Sequence, residues 1–411
     1  MSATGFLVLL IVSIAILMVL IMKVKLHPTF ALFLSALFMG LVLGRFEAEG
    51  FGFTDILTTI TGGFGGTLGS MGIPIMLGAI LAMGVQDTGA AKAIANFFIK
   101  LFRGKNLELA PALTAYIVSI PVFGDITTIL TSNIANVLGK RKHISMSTMA
   151  SFTQTGLNLT HAMVPPTPGI LAVSVALAAD LGMVISWGIV VTIITFFVTW
   201  IILKGWAAKE WIPAVPEVTA EIEETNSDNV EDLLIKDKDL PGTFASFLTI
   251  LIPVILIAGG SFVGMLIPES TPDDALVRTL VTIASDKVVA LSMGVIYTMF
   301  LALGHKASVR KSNLDATGSD PQTFREIVLN SWISRGMEVA LIALLVTAMG
   351  GGFSQVIKSF PGINDLALLI QDSGVPGLLI PFLVGAIMMT AVGSMTTAGV
   401  TAVGVVAPMM D

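Results

Sequence analysis

The stretch Thr160–Gly169, THAMVPPTPG, places an imidazole and three prolines between two apolar segments. Proline lacks a backbone donor, and its ring blocks the continuation of a helix. Inside a bilayer every freed carbonyl must find a partner within the protein. The stretch is therefore expected to be buried in protein or to line a wet cavity, where a membrane helix is interrupted. The rest of the chain supports that setting. Only 12% of its 411 residues are charged and its mean hydropathy is +0.90, whereas a soluble chain carries about 25% charged residues. The apolar runs are long and continuous, as spanning helices require, and lack the short alternation of a membrane β-barrel. The fold class is an all-α polytopic membrane protein. The 40 glycines and 18 prolines suit close helix contacts and interrupted helices. There is no cysteine, which excludes disulfides and thiolate metal sites. The net charge of −6 gathers in loops and says little about partners.

Spans are expected at 5–22, 27–44, 70–85, 110–123, 126–139, 145–160, 183–204, 243–267, 287–304, 333–350 and 376–392. The run 168–181 is too short to cross alone, and 54–66 and 395–410 are too broken to be simple spans. The run Phe6–Met22 has no positive charge before it, unlike a cleaved signal, and reads as a retained first helix. Lys and Arg mark cytoplasmic loops, which puts Lys23, Lys25, Gly139–His143, Lys306, Arg310 and Lys311 inside. The acidic loops Arg45–Gly50 and Pro268–Asp274 fall outside. Three regions follow: an N-terminal membrane half, 1–206; an acidic cytoplasmic linker, 207–242, poor in apolar residues and read as a solvated connector; and a C-terminal membrane half, 243–411.

The halves share an order of motifs. GGFGGTLGS (Gly62–Ser70), QDTG (Gln86–Gly89) and PVFGDITTILTSN (Pro121–Asn133) answer to MGGGFSQV (Met349–Val356), QDSG (Gln371–Gly374) and TAVGSMTTAGVTA (Thr390–Ala402). Repeat-related halves with broken helices, whose hairpin tips meet near the bilayer midplane, are a common transporter design.

Three stretches could carry chemistry. In the first, Pro121 and Gly124 interrupt a helix and Asp125 sits at the break. A carboxylate at membrane depth usually faces a cavity or a partner. Thr127, Thr128, Thr131, Ser132 and Asn133 follow, and 125, 128 and 132 share one helical face. A half-helix starting here would turn its open N–H groups and hydroxyls toward an anion. Each hydroxyl taken singly has a plainer use, bonding back to its own helix; the cluster around Asp125 reads as a site. In the second, Gln154, Asn158 and His161 fall at i, i+4 and i+7 on one face, with Thr153, Thr155 and Thr160 nearby. His161 can exchange a proton near neutral pH, although a lone membrane histidine is often only hydrogen-bonded structure. In the third, Gly62–Ser70 departs from G-x-G-x-x-G because Leu68 occupies the last position, so no phosphate cradle is expected. Its glycines suit helix packing; a broken-helix tip at Gly66, Thr67 and Ser70 is the sharper alternative. Asp87 and Asp372, each two residues before a glycine, read as helix caps.

Four stretches in order, GFGGTLGSMGIPIMLGAILAMGVQDTGAAKAIA, IPVFGDI, LTHAMVPPTPG and VGSMTTAGVTAVGVVAP, resemble the gluconate permease family, also called the gluconate:proton symporter family. The resemblance runs from about residue 2 to the end. It implies a secondary transporter of the bacterial inner membrane for a small hydroxy-carboxylate of the gluconate, glycerate or D-serine class, with proton coupling. Thr167 stands where the family usually has a histidine in Pro-Pro-His-Pro-Gly-Pro, while His161 is retained. The family usually continues past the equivalent of Asp411, so either a fragment or a shortened form is expected here. The implied mechanism is alternating access, with tips around Asp125–Thr128 and Gly393–Thr397 holding the anion. Gly66, Thr67, Ser394, Thr396 and Thr397 join the α-helical residues above as substrate-binding candidates, and Asp125 and His161 would carry the proton. Sodium coupling is the alternative, with Asp125, Thr128 and Asn133 as oxygen ligands. No cofactor and no nucleic acid is expected, and a homodimer is left open. An enzyme is disfavoured because neither H-E-x-x-H nor G-x-S-x-G occurs; a passive channel would not concentrate its solute.

Overall fold

The computed structural model describes residues 1–46, 52–122, 124–215, 234–235, 239–268, 270–272, 275–318 and 323–359, and isolated helical positions between 379 and 403. The side chains of Ala3, Asp125 and Pro168 are outside that set. So are Gln371–Gly374, Ser394, Thr396, Thr397 and most of the linker. Among the described residues all regular structure is helical. The helices are α1 (Ala3–Met22), α2 (Pro28–Phe46), α3 (Phe53–Asp87), α4 (Ala90–Leu101), α5 (Leu109–Val118), α6 (Gly124–Arg141) and α7 (Met146–Met163). They continue with α8 (Pro168–Ala176), α9 (Leu181–Ala207), α10 (Thr243–Leu266), α11 (Leu276–Ser285), α12 (Lys287–Gly304), α13 (Lys306–Thr317) and α14 (Phe324–Lys358). A π-turn interrupts α14 at Ile327–Ser331. Among the described residues, seven helices (α1, α2, α3, α9, α10, α12 and α14) are long and apolar enough to cross a bilayer.

Local signals explain many of the boundaries. Ser2 caps α1 by accepting from the Gly5 amide, and Asp180 caps α9 through the Met183 amide at 2.8 Å. Asp286 caps α12 by accepting from the amides of Val288 and Val289. Each cap satisfies one or two of the N–H groups that open a helix.

The chain forms two compact units, each drawing on segments from both sides of the linker. Unit 1 comprises Met1–Ile75, Pro168–Ala179 and Ala340–Asp411. Its core joins Phe6, Leu17, Leu32 and Met39 of α1 and α2 to Ile56 and Ile60 of α3 and Phe353 of α14. Here α3 and α14 meet at glycines: a Cβ on Gly63 would stand 2.5 Å from the Gly351 carbonyl oxygen and 2.9 Å from the Gly352 Cα. All three glycines come from the paired clusters noted in the sequence.

Unit 2 comprises Met76–Thr167 and Asp180–Val339. In it α7 packs on α5, α6 and α9, while α10 packs on α4, α9, α11 and α12. Gly156 of α7 lies so close to the Ala112 carbonyl of α5 that any side chain there would overlap it.

The glycine-rich run needs a correction. A tip at Gly66–Ser70, and a break between 54–66 and 70–85, were the sharper expectation; α3 runs unbroken through both, over 35 residues. Each glycine weakens a helix by about 1 kcal/mol relative to alanine. In a bilayer, however, the backbone has few partners other than its own carbonyls, and the contact with Gly351 and Gly352 secures the segment. Pro74 is likewise accommodated inside α3.

Candidate functional site

Two helix interruptions occur in unit 2 as the prolines require. After α5 ends at Val118 the chain turns through Ser119–Val122, and α6 begins at Gly124. After α7 ends at Met163, residues 164–167 form a bend. Pro165 and Pro166 have no amide hydrogen, so the carbonyls of His161 and Ala162 lose their helical donors. The Thr167 hydroxyl lies 2.9 Å from the His161 oxygen and 3.1 Å from the Val164 oxygen, in position to donate to them. Thr167 thus secures the backbone that carries His161.

Because α6 packs on α7, the two interruptions come together. The His161 ring lies over the start of α6: a Cβ on Gly124 would be 3.7 Å from its Cδ2 and Nε2. Asp125 is the next helical residue, with its side chain outside the described set. One turn on, the Thr128 hydroxyl accepts from the Gln154 amide at 3.4 Å. Asn158 is exposed, and His161 and Gln154 are partly buried. Thr128, Gln154 and His161 therefore line one α6–α7 seam.

Other expected site residues lie elsewhere. Thr160 points into the α5 contact, donating to the Tyr116 carbonyl at 2.8 Å and sharing a hydrogen bond with Ser119. Thr127 is fully buried and its hydroxyl has no hydrogen-bond partner among the described residues. Ser132 bonds back to the Ile129 carbonyl. Asn133 is exposed and lines a cavity of about 440 Å³ together with Gln86, Lys92, Lys311 and Asp315. Of the residues named for sodium, Thr128 faces Gln154 in the α6–α7 seam, Asn133 lines the separate 440 Å³ cavity, and the side chain of Asp125 lies outside the described residues.

Gly66 and Thr67 belong to unit 1, where they line a cavity of about 270 Å³ with Gly62, Ser70, Ser354 and Lys358. Ser394, Thr396 and Thr397 lie outside the described residues.

The structure also shows a buried polar cluster that the sequence did not reveal. Asp87 does not cap a helix. Fully buried, it accepts from Trp332 Nε1 at 2.8 Å, from Arg335 Nη1 and Nη2 at 2.8 and 3.2 Å, and from the Ser312 hydroxyl at 2.8 Å. Arg335 also donates to Asn313 Oδ1. An arginine inside a helix apolar enough to span was the available signal, since such a charge needs a partner.

Interrupted helices with polar seams in an apolar, multi-pass chain define an integral membrane protein built to handle a polar solute. The model of the GntP family permeases matches residues 6–411, and the chain belongs to that family. It is a transporter rather than an enzyme, and a multi-pass protein of the bacterial inner membrane. It is similar to an uncharacterized permease of Haemophilus influenzae, 29% identical over 98% of this chain and 77% of the relative. It is also similar to the gluconate permease of Pseudomonas aeruginosa and the D-serine transporter DsdX of Escherichia coli K12. Each of these is 27% identical over 98% of this chain and 82% of the relative.

Proposed function

We propose that this chain carries a small hydroxy-carboxylate or hydroxy-amino acid across the inner membrane by alternating access, driven by the proton gradient. The relatives named for gluconate and D-serine share a carboxylate and at least one hydroxyl, and that common chemistry sets the substrate class. The observation that carries the reading is His161 seated over Gly124 at the start of α6. The first turn of a helix has open N–H groups suited to an anion. The imidazole lies beside that turn, and Asp125 is next in sequence; these are the two titratable groups of the proposed coupling. Protonating Asp125 removes its repulsion of the incoming anion, which couples the two movements. Thr128 and Gln154 supply neutral donors, and these offset anion desolvation without a buried cation.

The test is uptake into proteoliposomes with an imposed pH gradient. Asp125→Asn is expected to abolish accumulation of gluconate or D-serine while leaving insertion and substrate exchange intact. Full accumulation by the variant, or accumulation that follows Na⁺ at constant pH, would overturn the proton reading.

A further inference from the structure

The cavity of unit 1 has a polar wall and an apolar wall. Gly62, Gly66 and Ser70 recur every fourth residue along α3, with Thr67 beside them, and Ser354, Gln355 and Lys358 face them from α14. Ala172 and Val175 of α8 make the apolar side. Among the described residues, Lys358 is the one charged residue in the lining, with no carboxylate beside it. The volume of about 270 Å³ is just under the range of drug-sized pockets, about 300–1,000 Å³, and so on the scale of a small acid. The glycines here differ in what they face. Gly63 is pressed against α14, whereas a Cβ on Gly62 or Gly66 would meet no atom within 4 Å. Packing therefore accounts for Gly63 but not for Gly62 or Gly66, and of the open glycines Gly62, Gly65, Gly66 and Gly69 only Gly62 and Gly66 line the cavity.

We propose that this cavity is a second anion subsite, in which the Lys358 ammonium takes the carboxylate of the substrate. Thr67, Ser70 and Ser354 meet its hydroxyls, and Gly62 and Gly66 leave room for its carbon chain. With α3 entering from the acidic loop at 45–50, on the outer side by the charge distribution, the subsite is one of first capture from outside. The inference rests on the reading of the chain as a carrier of small hydroxy-acids.

The test is equilibrium binding of gluconate and of D-serine to the full chain in nanodiscs. Lys358→Met is expected to weaken binding at least tenfold, and Lys358→Arg to restore most of it. Gly66→Val, whose Cβ would meet no atom within 4 Å and whose bulk enters the cavity, is expected to abolish binding. Gly65→Val is the matched control, because Gly65 also has an open Cβ position but does not line the cavity; it should bind normally. Melting temperatures of all four should stay near that of the wild type. Unchanged affinity in both Lys358→Met and Gly66→Val would overturn the subsite, as would equal losses in Gly66→Val and Gly65→Val. A lysine that merely reaches for lipid phosphate gives the first of these results. If the subsite fails in this way while Asp125→Asn still abolishes accumulation, the proposed transport function stands. If the wild type neither binds nor takes up any of these acids, both readings fall.

Discussion

At the scale of single residues, Asp87 shows how an acid in a membrane chain is made tolerable. Its carboxylate is fully buried and surrounded by an indole N–H, a guanidinium and a hydroxyl. A buried ion pair is not strongly stabilising in itself, but stripping one partner leaves an uncompensated charge, at about 3–5 kcal/mol. Asp87→Asn and Arg335→Met are each expected to lower the melting temperature of the purified protein sharply. The double variant Asp87→Leu/Arg335→Met removes both charges together and should melt well above the sum of the single effects. Additive losses would mean that the two residues act independently. The QDTG motif suggested a cap because sequence spacing shows Asp87 beside Gly89 but not the distant arginine. Gly89 itself adopts φ +75°, so the turn into α4 is made by glycine and needs no carboxylate.

At the scale of elements, the helices easiest to read were those with plain boundaries. The spans expected at 243–267 and 287–304 appear as Thr243–Leu266 and Lys287–Gly304, one starting just after Pro241-Gly242 and the other at the Asp286 cap. The helix breaks near Pro121 and Pro165 were legible too, because a missing N–H is a local property. The continuity of α3 through eight glycines was not, since what holds that segment lies about 290 residues away, at Gly351. The α6–α7 seam was partly legible: periodicity aligned Gln154 and His161, but the same periodicity could not show Thr160 turned into α5. The carbonyls left free at the second break give a prediction. Thr167→Val keeps the shape but removes the donor to the His161 and Val164 oxygens, leaving a buried acceptor unpaired at about 1–3 kcal/mol. A lowered melting temperature and slower accumulation are expected, with Thr167→Ser close to wild type. If Thr167→Val transported as well as wild type, the hydroxyl would not be what positions His161.

At the scale of the whole molecule, chain order and compact units do not coincide. Each unit takes segments from both sides of the linker, so neither membrane half can complete a unit by itself. Cutting the linker should therefore leave two fragments that regain uptake only when expressed together. The chain direction through the bilayer sets which side each cavity serves. The two 35-residue helices α3 and α14 are about 52 Å long, more than the hydrocarbon thickness of about 30 Å, so helix length alone cannot fix where they exit. The basic loops can, because Lys and Arg near helix ends orient the chain. Lys140 and Arg141 end α6 and Lys142 follows it, and Arg310 and Lys311 lie in α13. The chain has no cysteine, so single cysteines can be introduced without removing any native thiol. Lys142→Cys and Lys209→Cys should react with a membrane-impermeant maleimide only after the membrane is opened, and Ser270→Cys should react in intact cells. Labelling of Lys142→Cys from outside would invert the topology and move the Lys358 cavity to the cytoplasmic side, changing it from a site of capture to a site of release.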